Sequence, residues 1–130
     1  METSSSIGRA PAGRVGQSFE RFVAAAAAAQ GIALSDLSPI DQLEVHTRNS
    51  CYRITLLDGA GGRVLVQGGA FFPVPCEAHL SGSSLGGSFL KTGWVGCGFS
   101  LEFQHEGQRI VTTRVRRLRR VGQGSPARLH

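Results

Sequence analysis

With 130 residues, 41 % of them apolar and 18 % charged, the chain has the size of one globular domain and a composition that excludes wholesale disorder. No apolar stretch approaches the roughly 18 residues that a membrane-spanning helix needs. The net charge of +5 is unevenly spread: residues 1–43 carry −1, residues 44–107 carry −1, and residues 108–130, with seven Arg and no acid, carry +7.

Residues 1–16, rich in Ser, Gly, Ala and Pro, read as a disordered leader. Ser18 is placed to cap a helix over about residues 18–30. Phe19, Phe22, Val23 and Ala26 share one face of it, and the run Ala24 to Ala29 favours helix strongly. Gly31 stands where a C-terminal glycine cap belongs. The same stretch could form the apolar core of an export signal, although Glu20 and Arg21 abut it. Ser38-Pro39-Ile40-Asp41 predicts a single helical turn, closing an N-terminal region of residues 17–42.

From Leu43 the period changes to two. Leu43, Val45 and Thr47 alternate with polar residues, as do Tyr52, Ile54 and Leu56. Asp58 to Gly62 predicts a hairpin turn before a strand at Arg63 to Gln67. After Gly68-Gly69, the residues Phe71, Phe72 and Pro73 are placed to plug one end of a core. Cys76, Ala78 and Leu80 form another apolar face. The longest alternation is Val95, Cys97, Phe99, Leu101 and Phe103, with Trp94 facing away from it. A hairpin near Gly107 leads to a last strand, Arg109 to Val115. Mainly all-β architecture follows: a small antiparallel β-barrel or sandwich of five to six strands over residues 43–115, with one N-terminal α-helix. Beyond Val115 arginines occupy both faces, so residues 116–130 are expected to leave the sheet as a basic C-terminal tail.

The candidate binding residues are cationic or polar. Arg48 and Arg53, with Asn49 and Tyr52 between them, could grip a phosphate or carboxylate, or could form an ordinary turn. The loop Gly82 to Ser88, followed by Lys91, lacks the lysine of a nucleotide-hydrolase loop, and a strand follows it. Its backbone amides could still cradle an anion near Ser84 and Gly87. Trp94 beside Lys91 is either a ligand platform or a lid beneath the helix. Arg114, Arg116, Arg117, Arg119 and Arg120 are candidate nucleic-acid contacts, but no aromatic lies beyond Phe103 to stack a base.

The chemistry of catalysis is poorly represented. Cys51, Cys76 and Cys97 are odd in number and form no C-x-x-C pair, which fits a reducing, cytoplasmic setting rather than a disulfide framework. Cys51, near Arg48 and Arg53, is the best nucleophile. It would need His46 or His79 as a base. No catalytic pair has diagnostic spacing, and His46, His79, His105 and His130 show no metal-ligand spacing. Neither an enzyme, a cofactor nor a metal is expected.

Thr47-Arg48-Asn49-Ser50-x-Tyr52 and Gly86-Gly87-Ser88-x-Leu90-Lys91-x-Gly93-Trp94 resemble a family of short bacterial proteins of uncharacterised function, over about residues 44–115. The resemblance implies a stand-alone β domain. Gly82-x-Ser84-x-x-Gly87 also resembles the second motif of PilZ domains at Ser84 and Gly87, which implies a cyclic-dinucleotide receptor. That family has an acid or amide where Gly82 stands. Its R-x-x-x-R precedes the barrel, whereas here the matching spacing, Arg116 to Arg120, lies at the other end. The combined expectation is a non-enzymatic binding or regulatory module that could self-associate, with an unknown protein or anionic partner. Nucleic acid and a cyclic dinucleotide are the alternatives.

Overall fold

Period-two patterning from Leu43 onward builds a closed wall of strands. A computed structural model of the chain describes residues 11–85 and 89–123, and among them the side chains of 19–85 and 89–121. Six strands form the ring: β2 (Asp41–Thr47), β3 (Cys51–Asp58), β4 (Arg63–Gly68), β5 (Phe72–Ser84), β8 (Ser100–His105) and β9 (Gln108–Gln123). Each pairs antiparallel with the next, β4 also pairs with β5, and β9 returns to β2. Closure leaves the ring strands no long free edge. The short strand β6 (Leu90–Thr92) extends β5, while β1 (Gly31–Ala33) pairs with β7 (Trp94–Gly96).

Alternating residues fill the barrel. Leu43, Val45, Ile54, Leu56, Val64, Val66, Leu80, Leu101 and Phe103 point inward and are fully buried. Phe72 meets Phe103 edge-on at 5.3 Å between ring centroids. Only Phe72 plugs the core; Phe71 next to it stays exposed, because the strand turns the two to opposite faces. Each such buried side chain contributes roughly 1.5–3 kcal/mol of transfer free energy. The turn Glu106-Gly107 has positive φ at both residues, 52° and 79°, the two-residue hairpin geometry that matches strand twist.

The helix α1 spans Pro11–Ala28, so it begins earlier than the expected leader allowed, and Ser18 lies inside it. Residues 1–10 of that leader lie outside the described residues. Gly31 starts β1 rather than capping the helix. The buried face of α1 is Phe22 and Ala26, with Ala25 and Ala29 beside them; Phe19 and Val23 remain half exposed. This face covers Trp94 and Phe99, whose rings meet edge-on at 5.2 Å. Gly31 and Gly96 stand opposite each other beneath the indole. A Cβ on either would collide with the Trp94 ring, so the close approach requires glycine at both positions.

Three local expectations change. Ser38 to Asp41 forms a turn in which the Asp41 carboxylate accepts the Ser38 N–H at 2.8 Å, while the single helical turn is a 3₁₀ turn at Leu34–Asp36. The alternation from Val95 to Phe103 is two strands, interrupted at Gly98, whose φ is 89°. The third concerns the arginines: residues 116–123 are not a tail but the second half of β9, paired along β2. The barrel therefore runs from Asp41 to Gln123, and residues 124–130 lie outside the described residues. No helix among the described residues is long and apolar enough to cross a membrane.

Candidate functional site

Strand register places the charged residues in rows on the outside of the barrel. Arg53, Glu44 and Arg119 face one another across β3, β2 and β9, and Cys51, His46 and Arg117 form the next row. Glu44 is the hub. Its Oε1 accepts from Arg119 Nη2 at 2.9 Å and Nε at 3.3 Å, and lies 3.4 Å from His46 Nε2. Its Oε2 is 3.7 Å from Arg53. The Arg119 guanidinium first, and then the His46 ring, hold the Glu44 carboxyl below its ordinary range. Cys51 Sγ lies 3.7 Å from the same His46 nitrogen.

Other arginines are also committed to carboxylates. Arg120 donates to Asp41 Oδ2 at 2.8 Å, where Asp41 is only 2 % exposed. Arg109 makes two parallel bonds to Glu102, at 3.0 and 2.8 Å. These bonds from Arg109 hold the Glu102 carboxyl below its usual range against the opposing effect of burial. Arg63 pairs with Glu77 on the exposed surface.

Arg48, Arg114 and Arg116 differ. Together with Ser100 and Thr113 they line a surface groove of about 410 Å³, and no carboxylate among the described residues lines it. Its shape follows from the irregular pairing of β9. The register steps from Thr47↔Val115 to His46↔Arg117, so Arg116 is an extra residue, a β-bulge, on the strand. A second bulge between Val111 and Arg114 lies against β8. The first brings Arg116 to the surface beside Arg117 while Val115 and Leu118 both stay inside. Arg116 also borders a second groove of about 300 Å³, lined by Gln30, Glu44, His46, Arg117, Leu118 and Arg119.

The sequence-predicted site residues therefore divide. Arg48 leaves Arg53 and joins Arg114 and Arg116, so the expected Arg48–Arg53 grip does not form. Asn49 is exposed beside a separate groove of about 220 Å³. Tyr52 is largely buried, its ring tilted against Phe103, and it borders the same groove as Asn49. Ser84 is buried. Its hydroxyl has no hydrogen-bond partner among the described residues. Gly87 lies outside the described residues. Lys91 is exposed, with Nζ 4.5 Å from the centre of the Trp94 ring, and Trp94 is the lid beneath α1 rather than an open platform. Arg117 is exposed on the second groove, whereas Arg119 and Arg120 are ion-paired. Ser100, Thr113, Glu44 and His46 were not singled out as binding residues. A hairpin register drawn through Asn49 would have set His46 opposite Cys51, with Glu44 on the same face.

No family model, curated protein or solved structure matches the chain.

Proposed function

We propose that this protein is a non-enzymatic binding module for a phosphate-bearing anionic partner, held at the groove of Arg48, Arg114 and Arg116. One observation carries the reading: three arginines, a serine and a threonine line one groove that has no carboxylate among the described residues. Guanidinium is permanently charged, and its planar fork matches two phosphate oxygens. The Ser100 and Thr113 hydroxyls can complete the oxygen contacts. A rigid strand holds Arg114 and Arg116, which limits the ordering cost on binding.

A non-enzymatic role is supported by the Cys51–His46–Glu44 geometry. A nucleophile, base and orienting acid need the two different imidazole nitrogens. Here Nε2 faces both the thiol and the carboxylate.

Nucleic acid is the favoured second reading, because the two grooves share Arg116 and extend along β9 through Arg117. From Arg114 to Arg119 a strand spans roughly 17 Å, enough for two or three backbone phosphates. The cyclic-dinucleotide reading has less support, with Ser84 buried. The test is anisotropy of a labelled single-stranded oligonucleotide, titrated across salt concentration, with pyrophosphate and a cyclic dinucleotide as competitors. Salt-sensitive oligonucleotide binding that Arg116→Gln weakens supports the nucleic-acid reading. Displacement by pyrophosphate alone points to a small phosphate ligand. Absence of binding to all three probes at low salt refutes the anion site.

A further inference from the structure

We infer that Glu44, His46 and Cys51 form a binding site for a zinc-class divalent metal ion on the outer face of β2 and β3. One ligand atom from each residue lies within 4.8 Å of the other two. The two edges that meet at His46 have the dimensions of a coordination sphere. Around a tetrahedral zinc with bonds of about 2.3 Å to sulfur and about 2.0 Å to nitrogen and oxygen, the S···N edge is about 3.5 Å and the N···O edge about 3.3 Å. The observed separations are 3.7 Å for Cys51 Sγ to His46 Nε2 and 3.4 Å for His46 Nε2 to Glu44 Oε1.

The orientation of the imidazole distinguishes this site from a proton relay. One nitrogen, Nε2, faces both the sulfur and the carboxylate oxygen. In the tautomer with the proton on Nδ1, Nε2 offers one lone pair close to two other donor atoms, which suits a shared ion. Thiolate, imidazole and carboxylate are also the donor set that zinc takes, in preference to the all-oxygen sets of magnesium and calcium.

The scaffold is stiff where it matters. His46 and Cys51 are directly opposed across the β2–β3 hairpin, and Glu44 follows two residues away on the same face. Arg119 donates twice to Glu44 Oε1, the oxygen that would ligate the ion, so the ion would share that oxygen with the guanidinium that fixes its position. Arg53, Arg117 and Arg119 surround the cluster with positive charge, which limits affinity. Bound thiolate and carboxylate together neutralise a divalent ion, so no excess cation is placed among the arginines. With three protein donors and a solvent-exposed thiol, the fourth position is open to water or an anion.

The test uses the full chain, prepared free of metal, titrated with zinc against a chromogenic chelator and separately with cobalt(II). The expected result is one equivalent of zinc and a thiolate-to-cobalt charge-transfer band in the near ultraviolet. Cys51→Ser should abolish that band, and both it and His46→Gln should weaken zinc binding at least about tenfold. Circular dichroism should stay unchanged, because the Cys51 thiol is exposed and His46 lies outside the core. The proposal is overturned if the wild-type chain binds no stoichiometric zinc, or if the cobalt band survives in Cys51→Ser and so arises from Cys76 or Cys97. It is equally overturned if His46→Gln binds zinc as tightly as the wild type.

Discussion

The two ends of the arginine-rich half of β9 carry the same residue type under opposite conditions. At the Arg119–Arg120 end, each guanidinium meets a carboxylate from β2, Glu44 or Asp41. At the Arg114–Arg116 end, Arg48 lines the same groove with Ser100 and Thr113, and no carboxylate among the described residues joins them. A net charge of +7 over residues 108–130 hides this division. Arginines at the first end contribute to holding strands together. Those at the second end repel one another, and that cost is recovered when an anion arrives. Charge therefore points to function only after its internal partners are subtracted.

The most severe way to break the contrast is to remove the buried member of the paired end. Asp41→Ala deletes a carboxylate that accepts both Arg120 and the Ser38 N–H. Arg120 is half exposed, so water takes up part of the lost contact. The expected destabilisation is about 2 kcal/mol, below that of a fully buried broken pair. It would be read as a shift of the denaturation midpoint with an unchanged slope. Affinity for an anionic probe should hardly change.

The converse variant attacks the uncompensated end. Arg114→Gln with Arg116→Gln should weaken phosphate-probe binding at least about tenfold, since charge-assisted hydrogen bonds are lost. Stability should move by less than about 0.5 kcal/mol, or rise, because the mutual repulsion is gone. Binding that survives the double variant would disconnect the groove from function.

Acid sharpens the same comparison. Arg109 holds Glu102 below its ordinary carboxyl range. The depressed folded-state value means that Glu102 contributes stability above its unfolded value near 4.5. That contribution disappears as pH falls through the lower folded value. Denaturation midpoints should therefore drop on acidification, and Glu102→Gln should be less stable at neutral pH with a shallower acid-side slope. The groove of Arg48, Arg114 and Arg116 has no carboxylate among the described residues, so anion affinity should be flat over the same window apart from the ligand's own ionisation.

How much of this was legible in the sequence depended on regular pairing. Strands β2 to β4 keep strict alternation, and Leu43, Val45, Ile54, Leu56, Val64 and Val66 are inside as the period requires. In β9 the inward residues are Ile110, Thr112, Val115 and Leu118, at intervals of two, three and three. Each extra residue is a bulge, and two bulges mimic the end of a strand. The same irregularity that hid the strand builds the Arg48–Arg114–Arg116 groove. Trp94 was hidden differently. It does point away from the barrel interior, but α1 covers that outer face, and sequence period carries no information about what lies on top of a sheet. The Glu44–His46–Cys51 cluster depends on cross-strand register, so its residues lack the helical or C-x-x-C spacing by which metal ligands are usually found.

The smallest expected effect comes from converting the paired end into the unpaired kind. Glu44→Gln removes the one carboxylate among the described residues that lines the second groove and releases Arg53 and Arg119 from an ionic partner. Exposed ion pairs contribute little to folding, so the midpoint should shift only slightly. The groove, however, gains one positive charge, and Arg119 loses its ionic partner beside Arg116 and Arg117. Without metal and at low salt, a long anionic probe should bind about two- to threefold more tightly, and the gain should vanish near 1 M salt, where screening acts over about 3 Å. A short phosphate probe seated only at Arg48, Arg114 and Arg116 should gain less. Equal gains for both probes would mean that Glu44 acts through the overall field. A gain confined to the long probe would mean that the two grooves are one continuous track, with Glu44 restraining the far half.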